Sequence, residues 1–193
     1  MKKMLLLASA IMFTLSSFAQ TWKIDPSHSK IRFSVKYLVI SDVSGEFKKF
    51  DGTFTAAKAD WTDMQGTVTT EINSISTDDD MRDKHLQSDA FFAADKYPTA
   101  SFKIKSVKSL GNNKLVFTGD LTIRDVTKTV DMPVVYGGSI TDPWGNLKAG
   151  FKAMGSINRK EFGIKYNDAA KTGEAVVSDN VDFIIDLVLV KQK

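Results

Sequence analysis

Residues 77–107 read TDDDMRDKHLQSDAFFAADKYPTASFKIKSV, a strong helix signal set inside a chain otherwise patterned for strands. Thr77 and Asp78 are good N-cap residues, and Asp79 and Asp80 place negative charge on a first turn whose N–H groups lack partners. A short helix is expected there. Met81, His85 and Leu86 fall at helical spacing, so one apolar face leads into the Phe91-Phe92 pair. Pro98 stops the helix, because the residue before a proline is pushed out of the helical region. Beyond it Ala100, Phe102 and Ile104 alternate with Ser101, Lys103 and Lys105, the period of a half-buried strand. The helix is therefore inserted between strands, and it should close or line whatever those strands enclose.

On either side the chain repeats the strand period. Ile31, Phe33, Val35 and Tyr37 alternate with Arg32, Ser34 and Lys36, and Gly45 and Phe47 lead into a Phe50–Phe54 segment interrupted by Asp51-Gly52. Val68, Thr70 and Ile72 follow. After the helix, Leu115, Phe117, Gly119, Leu121 and Ile123 share one face, as do Val130, Met132 and Val134. Pro133, on the other side, implies a missing ladder hydrogen bond. Phe151, Ala153, Gly155 and Ile157 make the next apolar face, and Val181, Phe183, Ile185, Leu187 and Leu189 the last. About eight strands with one apolar face each, joined mostly by short links, describe an all-β fold. Curling into an antiparallel β-barrel buries that face and removes both sheet edges, and a short helix covering one end suits a barrel better than a sandwich.

The first residues lie outside that pattern. Lys2-Lys3, an apolar run from Met4 to Phe13 and the small-residue Ser17-Phe18-Ala19 form a secretory signal peptide over residues 1–19, leaving 20–193 as one domain. Loss of Lys2 and Lys3 lowers the formal charge from +3 to +1, so nucleic acid is not an expected partner. The chain has no cysteine, which excludes disulfides, thiolate metal sites and a lipid-modified N-terminal cysteine. The expected location is the periplasm, as a soluble protein.

An eight-stranded barrel is at the size where side chains either fill the interior or leave room for one ligand. Phenylalanines dominate the inward parity, whereas Ala100, Gly119, Ala153 and Gly155 on the same parity either leave space or accommodate large neighbours. Catalytic patterns are thin. His28 beside Ser29, His85 and Asp89 supply residue types for acid–base chemistry, but no nucleophile-elbow sequence and no histidine pair at metal-ligand spacing occurs. Both histidines also suit plain hydrogen bonding near a turn and a helix. Arg159 shares the inward parity, so its charge needs a partner: an anionic head group at the barrel mouth, or an acidic side chain such as Glu161 or Asp168. Trp61 and Trp144 are candidates for an exposed protein-binding surface, Trp144 more readily for packing on its own loop. The last strand is apolar on both parities, which suits a homodimer or cover by another element.

Several segments together resemble the YceI-like proteins: Trp22-Lys23-Ile24-Asp25-Pro26-Ser27-His28-Ser29, Gly45-x-Phe47, Arg82-Asp83-Lys84-His85-Leu86 with Phe91-Phe92, Tyr97-Pro98-x-x-x-Phe102, Gly119-Asp120-Leu121-Thr122-Ile123 and Arg159-x-x-Phe162-Gly163. Arg124 stands where that family usually has glycine. The resemblance implies a lipocalin-like extended eight-stranded barrel, exported to the periplasm and holding a polyisoprenoid, an isoprenoid quinone or a fatty amide, and it does not imply a catalytic activity. No cofactor or metal is expected, and transient membrane contact is. With inward parity the resemblance nominates Phe33, Val35, Phe47, Phe102, Phe117, Leu121, Phe151, Ile157 and Phe183 as lumen residues. His28, His85 and Arg159 are placed near the polar end.

Overall fold

The computed structural model describes residues 19–166 and 176–193, so residues 1–18 and Asp168 lie outside the described residues. Within them the wall consists of β1 (Gln20–Ile24), β2 (Lys30–Tyr37), β3 (Ser41–Phe47), β4 (Phe50–Ala56), β5 (Gln65–Glu71), β6 (Ile75–Ser76), β7 (Thr99–Gly111), β8 (Lys114–Ile123), β9 (Val126–Thr141), β10 (Leu147–Asn158) and β11 (Val177–Lys191). Three consecutive pairs, β1/β2, β3/β4 and β5/β6, are each one strand with an interruption. The first half of β11 pairs with β2 (Phe183 opposite Phe33) and its second half with β1 (Leu189 opposite Ile24). Those pairings close an antiparallel meander of eight strands into a barrel. The all-β barrel with one short helix expected from the alternation is the fold. Among the described residues no helix is long and apolar enough to cross a membrane.

The break between β1 and β2 shows how an interruption is tolerated. Pro26 cannot donate to a ladder, and the chain leaves the sheet from Asp25 to Ser29. Val188 on β11 is nonetheless satisfied twice: its carbonyl accepts from Asp25 N–H at 2.8 Å, and its N–H donates to Ser29 Oγ at 2.9 Å. A side-chain oxygen thus replaces the missing backbone acceptor. The Asp25 carboxylate accepts from Ser27 and from Lys148 Nζ at 2.9 Å, and His28 Nδ1 lies 2.9 Å from it. Burial alone would raise the Asp25 pKa, but these hydrogen bonds more than offset it and hold the carboxyl far below the usual range. A depressed carboxylate contributes stability at neutral pH and surrenders it as pH falls below the unfolded-chain value of 3.8. Asp25→Asn should therefore cost about 1–3 kcal/mol in urea unfolding at pH 7, and the gap should begin to narrow only below pH ~4 and close as the pH falls on towards the carboxyl's depressed folded value.

Strand direction separates the barrel into two halves. The end that carries the β7–β8 and β9–β10 turns is filled by Trp22, Phe54, Trp61, Met64, Phe117, Phe151 and Leu189 except for one small void. Trp61 meets the edges of Trp22 and Phe151 with centroids 5.0 Å apart in each case, and is buried. It is a plug residue, not the exposed partner surface considered from the sequence. Trp144, at 82% exposure, stands in solvent and does not pack on its loop. Pro133 sits opposite Val116 in the ladder between β8 and β9, one residue beyond Val134, where the ladder between β9 and β10 ends. On the outer face Ile184 of β11 is exposed beside its cross-strand neighbour Met154.

At the opposite end α1 (Asp80–Gln87) fills the space between β6 and β7. Its cap is Asp79, whose carboxylate accepts from Met81 N–H and Arg82 N–H, both at 3.0 Å, so the start lies one or two residues later than the sequence suggests. The helix also ends early. Ser88 N–H donates to His85 O, and Phe92, Ala93 and Ala94 fold back onto Leu86, Ser88 and Gln87. Ala93 adopts a left-handed φ of 50°. Pro98 therefore follows ten residues of turns and stops nothing. Met81 is exposed, whereas Leu86, Phe91 and Phe92 face inward.

Candidate functional site

Between the packed end and α1 the barrel is hollow, with a cavity of about 560 Å³. That volume falls within the roughly 300–1,000 Å³ of small-molecule sites. Its wall is built by alternation on β2, β3 and β11, which aim Phe33, Val35, Val43, Phe47, Val181 and Phe183 at one space. These side chains are only half-buried although they point inward, because they face open volume. The floor is formed by Val68, Phe102, Met132 and Ile185.

Glycines keep the lumen open. A Cβ at Gly155 would come within 2.6 Å of Phe183 Cζ, one at Gly45 within 2.4 Å of Phe33 Cζ, and one at Gly119 within 2.5 Å of Phe102 Cζ. Each ring lies against the neighbouring strand where that strand has no side chain, and so lines the wall instead of crossing the barrel. Of the two readings of Gly119 and Gly155, accommodation of a large neighbour is the one found, and it is what leaves the space.

Polar groups gather at the mouth. Thr77 is buried, and its N–H and Oγ1 donate to Asp83 at 2.8 and 2.6 Å. Arg82 donates from Nε to Thr77 Oγ1 and from Nη2 to Thr77 O, both at 2.7 Å. His85 lines the cavity from the last turn of α1 with its ring edge-on to Phe91 at 5.1 Å and Tyr166 at 5.2 Å. Among the described residues no cluster of histidine and carboxylate side chains could hold a metal ion.

The residues nominated from the sequence separate cleanly. Phe33, Val35, Phe47, Phe102, Leu121, Ile157, Phe183, His85 and Arg159 line the cavity. Phe117 and Phe151 lie deeper, in the packed half, where they border only a small void of about 60 Å³. His28 is a correction: its side chain is 64% exposed in the β1–β2 break and bound to Asp25, away from the cavity. Arg159 is buried at 4% exposure, and Glu161, one of the acidic partners considered for it, does not answer its charge. Its guanidinium donates to four backbone carbonyls, those of Ser178 (2.9 Å), Ile164 (3.1 Å), Tyr166 (2.7 Å) and Val177 (3.2 Å), with Asp179 at 3.6 Å. Glu161 pairs with Lys128 instead. Burial lowers the Arg159 pKa from its ordinary value, and Asp179 works against that shift.

Other lining residues were missed. Val43 and Val181 share the parity of Phe47 and Phe183, so the same alternation could have found them. Tyr166 and Val176 lie outside the strands, where no period points inward, and Val177 opens β11 ahead of a register shift between Val177 and Val181. Arg124, the departure from the family pattern, adopts the left-handed φ of 57° that a glycine would favour. Its Nη1 donates to Phe91 O at 3.1 Å and Gly163 O at 2.8 Å, strapping the aromatic pair to the rim. Arg124→Gly would relieve roughly 1–2 kcal/mol of backbone strain but lose two charge-assisted bonds of about 1.5–3 kcal/mol each. Urea unfolding should show a net loss.

The YceI-like domain matches residues 22–189. The chain belongs to the YceI-like family. The YceI protein of Escherichia coli O6:H1 is 40% identical over 198 residues, the whole of both chains. Among solved structures of similar fold, BcnA of Burkholderia cenocepacia superposes with a TM-score of 0.75 at 25% identity, covering 86% of this chain and 98% of BcnA. A polyisoprenoid-binding domain from Saccharophagus degradans gives a TM-score of 0.67 over 90% of this chain and 99% of its own. At 13% identity that likeness to a YceI-like chain concerns the fold alone.

Proposed function

We propose that this protein holds one long apolar lipid in the upper half of its barrel, a polyisoprenoid, an isoprenoid quinone or a fatty amide. It would act as a periplasmic carrier once residues 1–19 are removed, and it would catalyse no reaction on its cargo. The observation that carries the reading is the hollow: about 560 Å³ enclosed by half-buried phenylalanine and valine side chains. A barrel filled by its own rings, the alternative of a purely protein-binding module, has no such space.

Energetics fit a carrier. Each methylene moved from water to an apolar site gains about 0.8 kcal/mol, so a prenyl tail prefers the cavity strongly to water. Relative to a bilayer the transfer is near neutral, which makes both uptake and release feasible across an aqueous space. Organic extraction and native mass spectrometry of protein purified from bacterial periplasm should reveal a co-purifying lipid. A clean protein that also fails to take up added prenyl alcohols would refute the reading.

His85 favours one alternative, an enzyme using it as acid or base at the cavity mouth. His85→Ala should leave lipid loading intact and no turnover to lose; a product formed by wild type and not by the variant would establish the enzyme. A homodimer is proposed through Ile184 and Met154 on the outer face, with sedimentation of Ile184→Lys as its check. Transient membrane contact is proposed at the mouth, where Val39 and Ile40 are exposed at the β2–β3 turn.

A further inference from the structure

The cavity floor separates two spaces. Below the main cavity lies the void of about 60 Å³, bounded by Phe54, Met64, Phe117, Phe151, Leu189 and others, all of them apolar. A space of that size with no polar lining stays dry and empty. The two spaces share only Val68, Phe102, Met132 and Ile185. These come from β5, β7, β9 and β11, so they form one layer across the barrel interior. Phe102 is fixed within it: its ring lies on Gly119, and Val68 is its cross-strand partner. Met132 is different. It is buried opposite Phe117 on a flexible, unbranched side chain that can swing without moving the backbone.

We infer that Met132 is the stop that sets how long a tail this barrel accepts, and that the void beneath it is reserve length the wild-type protein does not use. The inference rests on the lipid-carrier reading and specifies its cargo. Shortening the side chain joins the two spaces, because no other member of the layer covers the void from the β9 side. Enlarging it raises the floor. The charged mouth plays no part, so head-group preference should not change.

The test is competition among a graded series of prenyl alcohols, read by native mass spectrometry of the loaded protein. Met132→Ala should shift the bound population to the next longer isoprene homologue, and Met132→Phe to the next shorter one. Met132→Leu, similar in volume, should keep the wild-type distribution and shows that the site tolerates substitution. Ala153→Leu fills the void from below: alone it should leave the wild-type distribution unchanged, and combined with Met132→Ala it should cancel the shift to longer chains. If every variant binds lipid with the same length distribution, Met132 is no stop and the inference is overturned while the carrier reading stands. If wild type and variants alike bind no prenyl alcohol, both fall.

Discussion

Arg159→Ala is expected to destabilise the protein by about 3–5 kcal/mol, the cost typical of breaking a buried charged network. The side chain donates to four carbonyls, on Ile164 and Tyr166 at one end of the 167–175 segment and on Val177 and Ser178 at the other. Its fork thus ties the exit from β10 to the entry into β11. Lysine cannot reproduce that geometry, because its single ammonium presents donors from one point, so Arg159→Lys should recover only a minor part of the loss. Urea midpoints of the three proteins measure the effect. The result also decides between the two roles the sequence left open. A head-group ligand would give a variant of near-normal stability that binds lipid poorly, whereas a structural staple gives a variant that unfolds early and binds in proportion to its folded fraction.

That residue also marks the boundary of what alternation can tell. The period of two placed Phe33, Phe47, Phe102 and Phe183 on the inner face correctly, because a strand has only two faces and one of them is buried. It could not say how deep each would lie. Phe117 and Phe151 obey the same parity, yet they sit in the packed half, where Trp22 and Trp61 fill the barrel. Depth is set by strand stagger and by which residues plug the end. Trp61 enters from the loop between β4 and β5, where no period applies. The helix was legible as a helix, but its limits were not: the aspartates at 78–80 all suit a cap, and only the turn at Asp78, with φ of 59°, selects Asp79. Arg159 and His28 were chosen as polar residues near an apolar space. Charge says that a partner is needed, while the identity of that partner depends on which backbone carbonyls the chain brings within reach of the guanidinium.

Gly155→Val should abolish lipid loading while leaving a folded barrel. The new Cβ would lie 2.6 Å from Phe183 Cζ and 3.1 Å from its Cε1, so the ring must leave the wall. The atoms in the way are the far end of a side chain, which can rotate, and the open volume that ring lines is the cavity. Overpacking of this kind costs about 1–3 kcal/mol in stability. Its effect on binding is larger in consequence. A ring swung into the lumen excludes several methylenes of a tail, and loss of two already costs roughly 1.6 kcal/mol, more than tenfold in affinity. Gly45→Ala should act the same way through Phe33, with Thr77 Cγ2 at 2.8 Å adding strain at the mouth. Gly119 supplies the contrast. There a Cβ would meet Lys103 O, a backbone atom, at 2.5 Å, and no rotation relieves the clash. Gly119→Ala should therefore lower the melting temperature most, and because the same Cβ meets Phe102 Cζ at 2.5 Å it should also reduce loading of the protein that stays folded. Thermal melts and native mass spectrometry on the three variants separate the outcomes. If Gly155→Val retains wild-type loading, the flat rings are not what holds the lumen open, and the cavity owes its volume to something other than these three glycines.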